Sequence, residues 1–266
     1  MMLNDRENDV NMKLAGFFLP VVLFTLWYIF TLDGGVPAYL LPSPGDLAST
    51  GIDFAIGENP PYGGTLFVHT MASVQRVITG FGLAVALGLP LGFLTGRIGL
   101  ARASLDPTVH LIRIVPGISW LPIAMVWFGV GETTTLFLIS LAAFFPVYVN
   151  AAQGASTVSP MLIRAGRMLG ANDLRIFTTV IIPASMPATL AGLRLGLGLS
   201  WAYLVLGELT GVTYGLGAVM MDARMLGNVD MVLVSMIFIG FFGRISDIAL
   251  VKSFRKFGLL KNGDRI

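Results

Sequence analysis

Cysteine is absent from the 266 residues and charge is scarce, with only 12% of positions Asp, Glu, Lys or Arg. Without cysteine there can be no disulfide, thiolate zinc site, iron–sulfur cluster or cysteine nucleophile. Histidine is nearly missing too: His69 and His110 are the two in the chain, and neither has a partner at ligand spacing, so no metal site is expected. No Gly-x-x-x-x-Gly-Lys-Ser/Thr occurs, which excludes the usual loop for cradling nucleotide phosphates. A soluble domain carries roughly 25% charged residues. The deficit here, beside 55% hydrophobic residues, points to lipid as the solvent.

What is present fits that solvent. Roughly 20 apolar residues cross a hydrocarbon core of about 30 Å. Six segments qualify: Leu14–Leu32, Met71–Thr95, Asp106–Phe128, Thr134–Ala152, Ala188–Leu209 and Met231–Val251. The polar start, Met1 to Lys13, runs directly into the first of these with no small-residue cleavage site, so a retained helix is expected. The 32 glycines suit helices that pack closely in a membrane. No internal repeat or low-complexity tract is evident, and a single membrane domain, 1–266, is the simplest division. It comprises a first helix with a Pro-rich segment (13–69), a five-helix core (70–251) containing a loop (153–187), and a basic tail (252–266).

Basic residues choose the side. Asp33 to His69 contains no Lys or Arg but has Asp33, Asp46, Asp53 and Glu58. Arg97 and Arg102, then Arg164, Arg167 and Arg175, then Lys252, Arg255, Lys256, Lys261 and Arg265 all fall on the side of Arg6 and Lys13 when six spans alternate. Arg224 is the exception. The positive-inside pattern makes both termini cytoplasmic.

The loop between the fourth and fifth spans carries the clearest local signals. Ser159–Pro160 opens a helical run with Met161, Leu162, Ala165, Met168 and Leu169 apolar at helical spacing, and Gly170 breaks it. Asn172–Asp173 caps a second short helix with Leu174, Ile176, Phe177 and Val180 apolar, and Pro183 is expected to end it. Two short helices bent at a glycine form a compact knob. Exposed Leu162, Met168 and Phe177 then need something to pack on.

Arg164–Ala165–Gly166, then Gly170, then Val180–Ile181–Ile182–Pro183 resembles the EAA loop of ABC-importer permeases, with Arg164 in place of the pattern's glutamate and Gly166 in place of its second alanine. Leu41–Pro42–Ser43–Pro44, which reads as a Pro-rich turn before a short helix, is similar to a signature of the nitrate, sulfonate and taurine subgroup. So are Leu105–Asp106–Pro107, Trp120–Leu121–Pro122, Phe145–Pro146–Val147–Tyr148–Val149–Asn150, Gly192–Leu193–Arg194 and Asp222–Ala223–Arg224, and the combination looks most like the aliphatic-sulfonate permeases. The resemblance implies an all-α integral membrane fold, the type I importer permease, with six spans and a cytoplasmic coupling helix in the inner (cytoplasmic) membrane. It also implies a second copy of the chain, two ATP-binding cassette subunits that use ATP and Mg, and a periplasmic or lipid-anchored solute-binding protein. No cofactor is expected on this chain, and nucleic acid is not an expected partner. Coupling would fall to Arg164, Ala165, Gly166, Leu169, Gly170, Asp173, Phe177 and Pro183.

The translocation path is expected between two copies, with Arg113, Ser119, Trp120, Gly192, Gly196, Ser200, Trp201 and Glu208 as candidates. Several have a plainer reading. The Gly192, Gly196, Gly198 and Ser200 face either lines the path or packs helices within one subunit. Arg113 either attracts an anion at the inner mouth or snorkels or pairs with a carboxylate. Glu208 is expected as a solvated interfacial carboxylate, with a gate or a binding-protein contact as the alternative. Arg76 and Arg194 are expected to snorkel, and Arg244 to pair with Asp247 three residues on. A stand-alone secondary transporter or channel is the competing class, but midplane charges for ion coupling are few. An intramembrane enzyme would need a nucleophile–base pair or a ligand cluster, and neither is present in the pattern.

Overall fold

The structure, a computed structural model, describes residues 16, 18–31, 36, 37 and 39–256. The polar segment with Arg6 and Lys13, the end points Leu14 and Leu32 of the first expected span, Asp33, and the tail with Lys261 and Arg265 lie outside the described residues. Everything regular among the described residues is helical. In chain order the helices are α1 (Phe18–Thr31), α2 (Pro44–Ile56), α3 (Leu66–Arg97), α4 (Gly99–Ile114), α5 (Leu121–Phe128), α6 (Glu132–Ser156), α7 (Pro160–Met168), α8 (Asp173–Ile176), α9 (Ile182–Glu208), α10 (Leu216–Met225) and α11 (Val229–Lys256).

Four stretches are long and apolar enough to cross a membrane: α3, α6, the run Asp173–Glu208 that ends in α9, and α11. A fifth is a broken pair. Where one span was expected over Asp106–Phe128, the chain instead ends α4 at Ile114, makes a 3-10 turn over Gly117–Trp120 and leaves along α5, bent by 90°. Pro116 supplies the physical reason, since it disfavours helical backbone at Val115, which is extended at φ −66°, ψ 120°. The described part of the first expected span is the shorter apolar helix α1.

The chain divides into two compact units. One holds the described residues up to 66 together with 220–235. In it the Pro-rich turn does lead into a short helix: Ser43 caps α2, accepting from the Asp46 N–H at 3.2 Å, while Asp46 accepts in return from Ser43, and Pro44 occupies the first turn where its missing N–H costs nothing. The Trp27 indole donates to the Pro42 carbonyl at 3.0 Å. Leu47, Phe54, Met231 and Val234 are buried.

The other unit, 67–219 and 236–256 among the described residues, is built around α6. On α3, Gly80, Ala84, Gly88, Gly92 and Gly96 repeat every four residues on one face and are all buried. The four glycines meet Ile139, Val147, Ala151 and Ala155 of α6 at a constant sequence offset, so the two helices run parallel. A Cβ on Gly92 would lie 2.5 Å from the Tyr148 carbonyl oxygen, and one on Gly96 2.5 Å from that of Ala152. The backbones therefore approach as only small residues allow. On its other side α6 meets α9 running antiparallel, with Gly207 against Thr135, Gly196 against Ala143, Gly192 against Pro146 and Gly154 against Ser185. Outward-facing Met236, Ile237, Phe241 and Ile245 on α11 stay exposed, as suits a helix in hydrocarbon.

This packing predicts that Gly92→Leu forces α3 and α6 apart and destabilises the fold by about 1–3 kcal/mol. Gly82→Leu, where a Cβ meets nothing within 4 Å, should be neutral. Thermal unfolding of the detergent-purified chain separates the two; equal midpoints would remove the close-packing account.

Candidate functional site

The knob is set by backbone geometry. Ser159 caps α7, accepting from the Met161 N–H at 3.3 Å. At the other end Gly170 sits at φ +79°, a conformation that favours glycine. Its N–H donates to the Arg167 carbonyl at 3.0 Å, and the next, from Ala171, to that of Gly166 at 3.1 Å. That pair of bonds is the Schellman arrangement, which stops one helix and turns the chain. Asn172 then caps α8 by accepting from the Arg175 N–H at 2.8 Å.

Pro183 does not end the second short helix. A π-helical turn over Phe177–Ile181 widens the spiral, and the chain runs on without interruption from Asp173 to Glu208. A proline lacks the N–H that the next turn would use, and the wide turn absorbs that loss. The non-spanning knob is thus shorter than 153–187, because Gln153–Ser156 belong to α6 and Ile182–Pro187 to α9.

One face of the knob is already occupied. Ile176 and Ile181 are buried with Phe93, Ala155 and Val158, and Phe177 packs edge-on to Phe93 at 5.9 Å between centroids. Phe177, half-buried, therefore packs against the chain's own core and is not part of the exposed patch, while Gly166 is half-buried over Ile176. The opposite face is bare. Met168 is 88% exposed and Leu169 87%, and Met161, Leu162 and Leu174 are exposed beside them. Arg164, Ala165, Gly170 and Asp173 are exposed around this apolar patch. The Arg167–Asp173 pair, 3.3 Å apart and solvated on both sides, contributes little to holding it.

A cavity of about 370 Å³ lies between the end of α4, the 3-10 turn, α6 and α9. Arg113, Trp120, Asn150 and Tyr203 supply its polar groups, and Leu141, Phe145, Val149, Leu195 and Leu199 much of its apolar wall. Gly117 also lines it, and a side chain there would collide with the Tyr203 hydroxyl.

Residues 88–255 match the family described as binding-protein-dependent transport system inner membrane component. The chain belongs to that family. A protein of Brucella melitensis named as an ABC transporter permease is 37% identical over 242 residues, covering 90% of this chain and 95% of its own. The permease is also 37% identical over 215 residues to the taurine transport system permease protein of Escherichia coli, covering 81% of this chain and 78% of that protein. A protein of Bacillus subtilis named for aliphatic sulfonates transport is 34% identical over 234 residues, covering 88% and 83%. Among solved structures, a chain of an inward-facing MetNI methionine ABC transporter superposes with a TM-score of 0.55 at 20% identity, covering 73% of this permease and 99% of that chain.

Of the residues assigned to the path from sequence, Arg113 and Trp120 reach the cavity, and exposed Ser119 adjoins Trp120 in the 3-10 turn. Gly192 and Gly196 are packed against α6, as in the plainer reading of that face. Ser200 is buried and donates to the Gly196 carbonyl at 2.9 Å; the Trp201 indole donates to Ser246 at 2.9 Å. Asn150 and Tyr203 went unassigned because their helices meet the 3-10 turn only in the folded chain.

Three charged residues expected at solvent or lipid interfaces are instead tied down. Arg194 forms two bonds with Asp247, at 2.7 and 3.1 Å, and Asp247 also holds Arg244 at 3.0 Å. Glu208 is not solvated: its side chain is 0% exposed. It accepts from Arg76, Ser73 and the Gly217 N–H, each at 2.7 Å. Arg76, likewise buried, extends to the Tyr214 carbonyl and to Glu132, whose side chain is 55% exposed. Arg76 lies inside α3, Glu132 opens α6 and Glu208 closes α9, and the sequence gives no sign that these positions meet.

Removing one partner of a buried pair strands the other charge. Glu208→Ala should therefore destabilise the permease by about 3–5 kcal/mol, and Glu132→Ala by at most about 1 kcal/mol. Thermal midpoints in detergent provide the comparison, and an equal cost at the two sites would contradict the buried node.

Proposed function

We propose that the chain is the membrane-spanning permease subunit of an ATP-driven importer for a small anionic solute of the sulfonate type. It would form the translocation path with a second copy and pass through inward- and outward-facing states as two ATPase subunits close and open. Six spans with both termini cytoplasmic, in the inner membrane, agree with the distribution of Lys and Arg. A solute-binding protein delivers cargo from the opposite side, in keeping with the family's description. Relatives named for taurine and for aliphatic sulfonates support the solute class.

The observation that carries the coupling role is the bare face of the knob. Met168 and Leu169 project from a helix end whose direction is fixed by the Gly170 turn, while the opposite face is anchored on α3 and α6 through Phe93, Ala155 and Ile176. An apolar patch ringed by Arg164, Arg167 and Arg175, on a rigid mount, suits a groove in a separate motor subunit. Movement of the knob is transmitted to α9 directly, because helix runs unbroken from Asp173 to Glu208.

Leu169 makes little contact with its own chain, so Leu169→Asp should leave insertion and thermal stability unchanged. In the reconstituted complex it should reduce solute-stimulated ATP hydrolysis by about tenfold or more, since an interfacial anchor is typically worth 2 kcal/mol or more. Normal stimulation by butanesulfonate in this variant would remove the coupling role.

A further inference from the structure

The cavity between α4, α6 and α9 has a donor-rich, acid-free chemistry, and we infer that it is a solute site within this chain, taking a small oxyanion on a short apolar body. This deepens the proposed permease function and rests on it. Four observations carry the inference.

First, the Trp120 indole nitrogen is buried and has no hydrogen-bond partner. An indole N–H is a donor only, so it is satisfied by an acceptor entering the cavity that Trp120 lines. Second, the Arg113 side chain lines the same cavity and forms no ion pair or hydrogen bond with any described residue. Arg76 of α3 and Arg194 of α9, by contrast, are bound to carboxylates. An exposed guanidinium with no carboxylate beside it is suited to an anion that arrives from outside the chain. Third, Asn150 spends one N–H on the Pro146 carbonyl at 2.9 Å, which fixes its amide and leaves further donor and acceptor capacity beside Tyr203. Fourth, no acidic residue lines the cavity among the described residues, and its remaining wall is largely hydrocarbon from Leu141, Phe145, Leu195 and Leu199.

Size separates the possible anions. At about 370 Å³ the space is at the small end of ligand pockets, yet generous for a bare inorganic oxyanion. An alkanesulfonate would set its oxygens against Arg113 and Trp120 and its chain against the leucines and Phe145. Nitrate would use the donors and leave the apolar wall unfilled.

The test is equilibrium binding of radiolabelled butanesulfonate to the detergent-purified full chain, without the binding protein or ATPase, with nitrate as competitor. Saturable binding is expected, with nitrate competing at least about tenfold more weakly. Arg113→Gln should weaken binding about tenfold or more. Trp120→Phe keeps an aromatic ring while removing the N–H, and should also weaken it, with unchanged gel-filtration and thermal profiles. Absence of saturable binding by the native chain would overturn the inference, as would full affinity in both variants. If the native chain fails to bind while Leu169→Asp still uncouples the ATPase, the cavity is wrong and the permease reading stands. If it binds but Leu169→Asp couples normally, the cavity stands and the coupling role falls.

Discussion

In hydrocarbon there is no hydrophobic force to drive one apolar helix against another, so contact must come from dispersion and from how closely backbones can approach. Small residues on both flanks of α6 meet that constraint. α3 presents Gly80, Ala84, Gly88, Gly92 and Gly96 in one row, and α9 presents Gly192, Gly196 and Gly207 from the other side. With α6 held between them, Ile139, Ala143, Val147, Ala151 and Ala155 are fully enclosed. Both candidate sites hang on this sandwich: the knob sits on the ends of α3 and α6, and the cavity opens where α6 and α9 meet the bent end of α4.

The two ends of the sandwich are stabilised by different physics. Near the start of α6 a buried Arg76–Glu208 pair with Ser73 and the Gly217 N–H joins α3, α9 and the first turn of α10. At the far end Phe93, Ile176, Phe177 and Ile181 make an apolar cluster with no ion pair in it. Directional polar contacts fix the geometry at the first end, and close packing of apolar side chains fixes it at the second. The knob is attached at the apolar end.

Bends in the chain follow the same logic of backbone satisfaction. Pro116 turns the path by 90° and exposes backbone beside a cavity, where polar groups of the protein are close at hand. Pro183 is passed by a π-helical turn instead, so helix from the knob to Glu208 remains continuous and stiff. One proline breaks a span and the other is absorbed. The difference lies in the residues before each: Val115 is extended, whereas Ile182 stays helical with its N–H bonded to the Phe177 carbonyl.

The sequence by itself determined the solvent, the order of the long apolar helices, the Gly170 break and the caps at Ser159 and Asn172. These depend on composition and on residues a few positions apart, so local physics decides them. It also carried the family resemblance, since motif order survives in the chain. Only the tertiary structure decided that Arg76 and Glu208 are partners, that Phe177 turns inward, that Gly192 and Gly196 pack on α6, and that Trp120 and Arg113 share a cavity with Asn150 and Tyr203. Every one of those facts joins positions far apart in the chain. A one-dimensional pattern records which face a residue occupies on its own helix, but not which helix that face will meet.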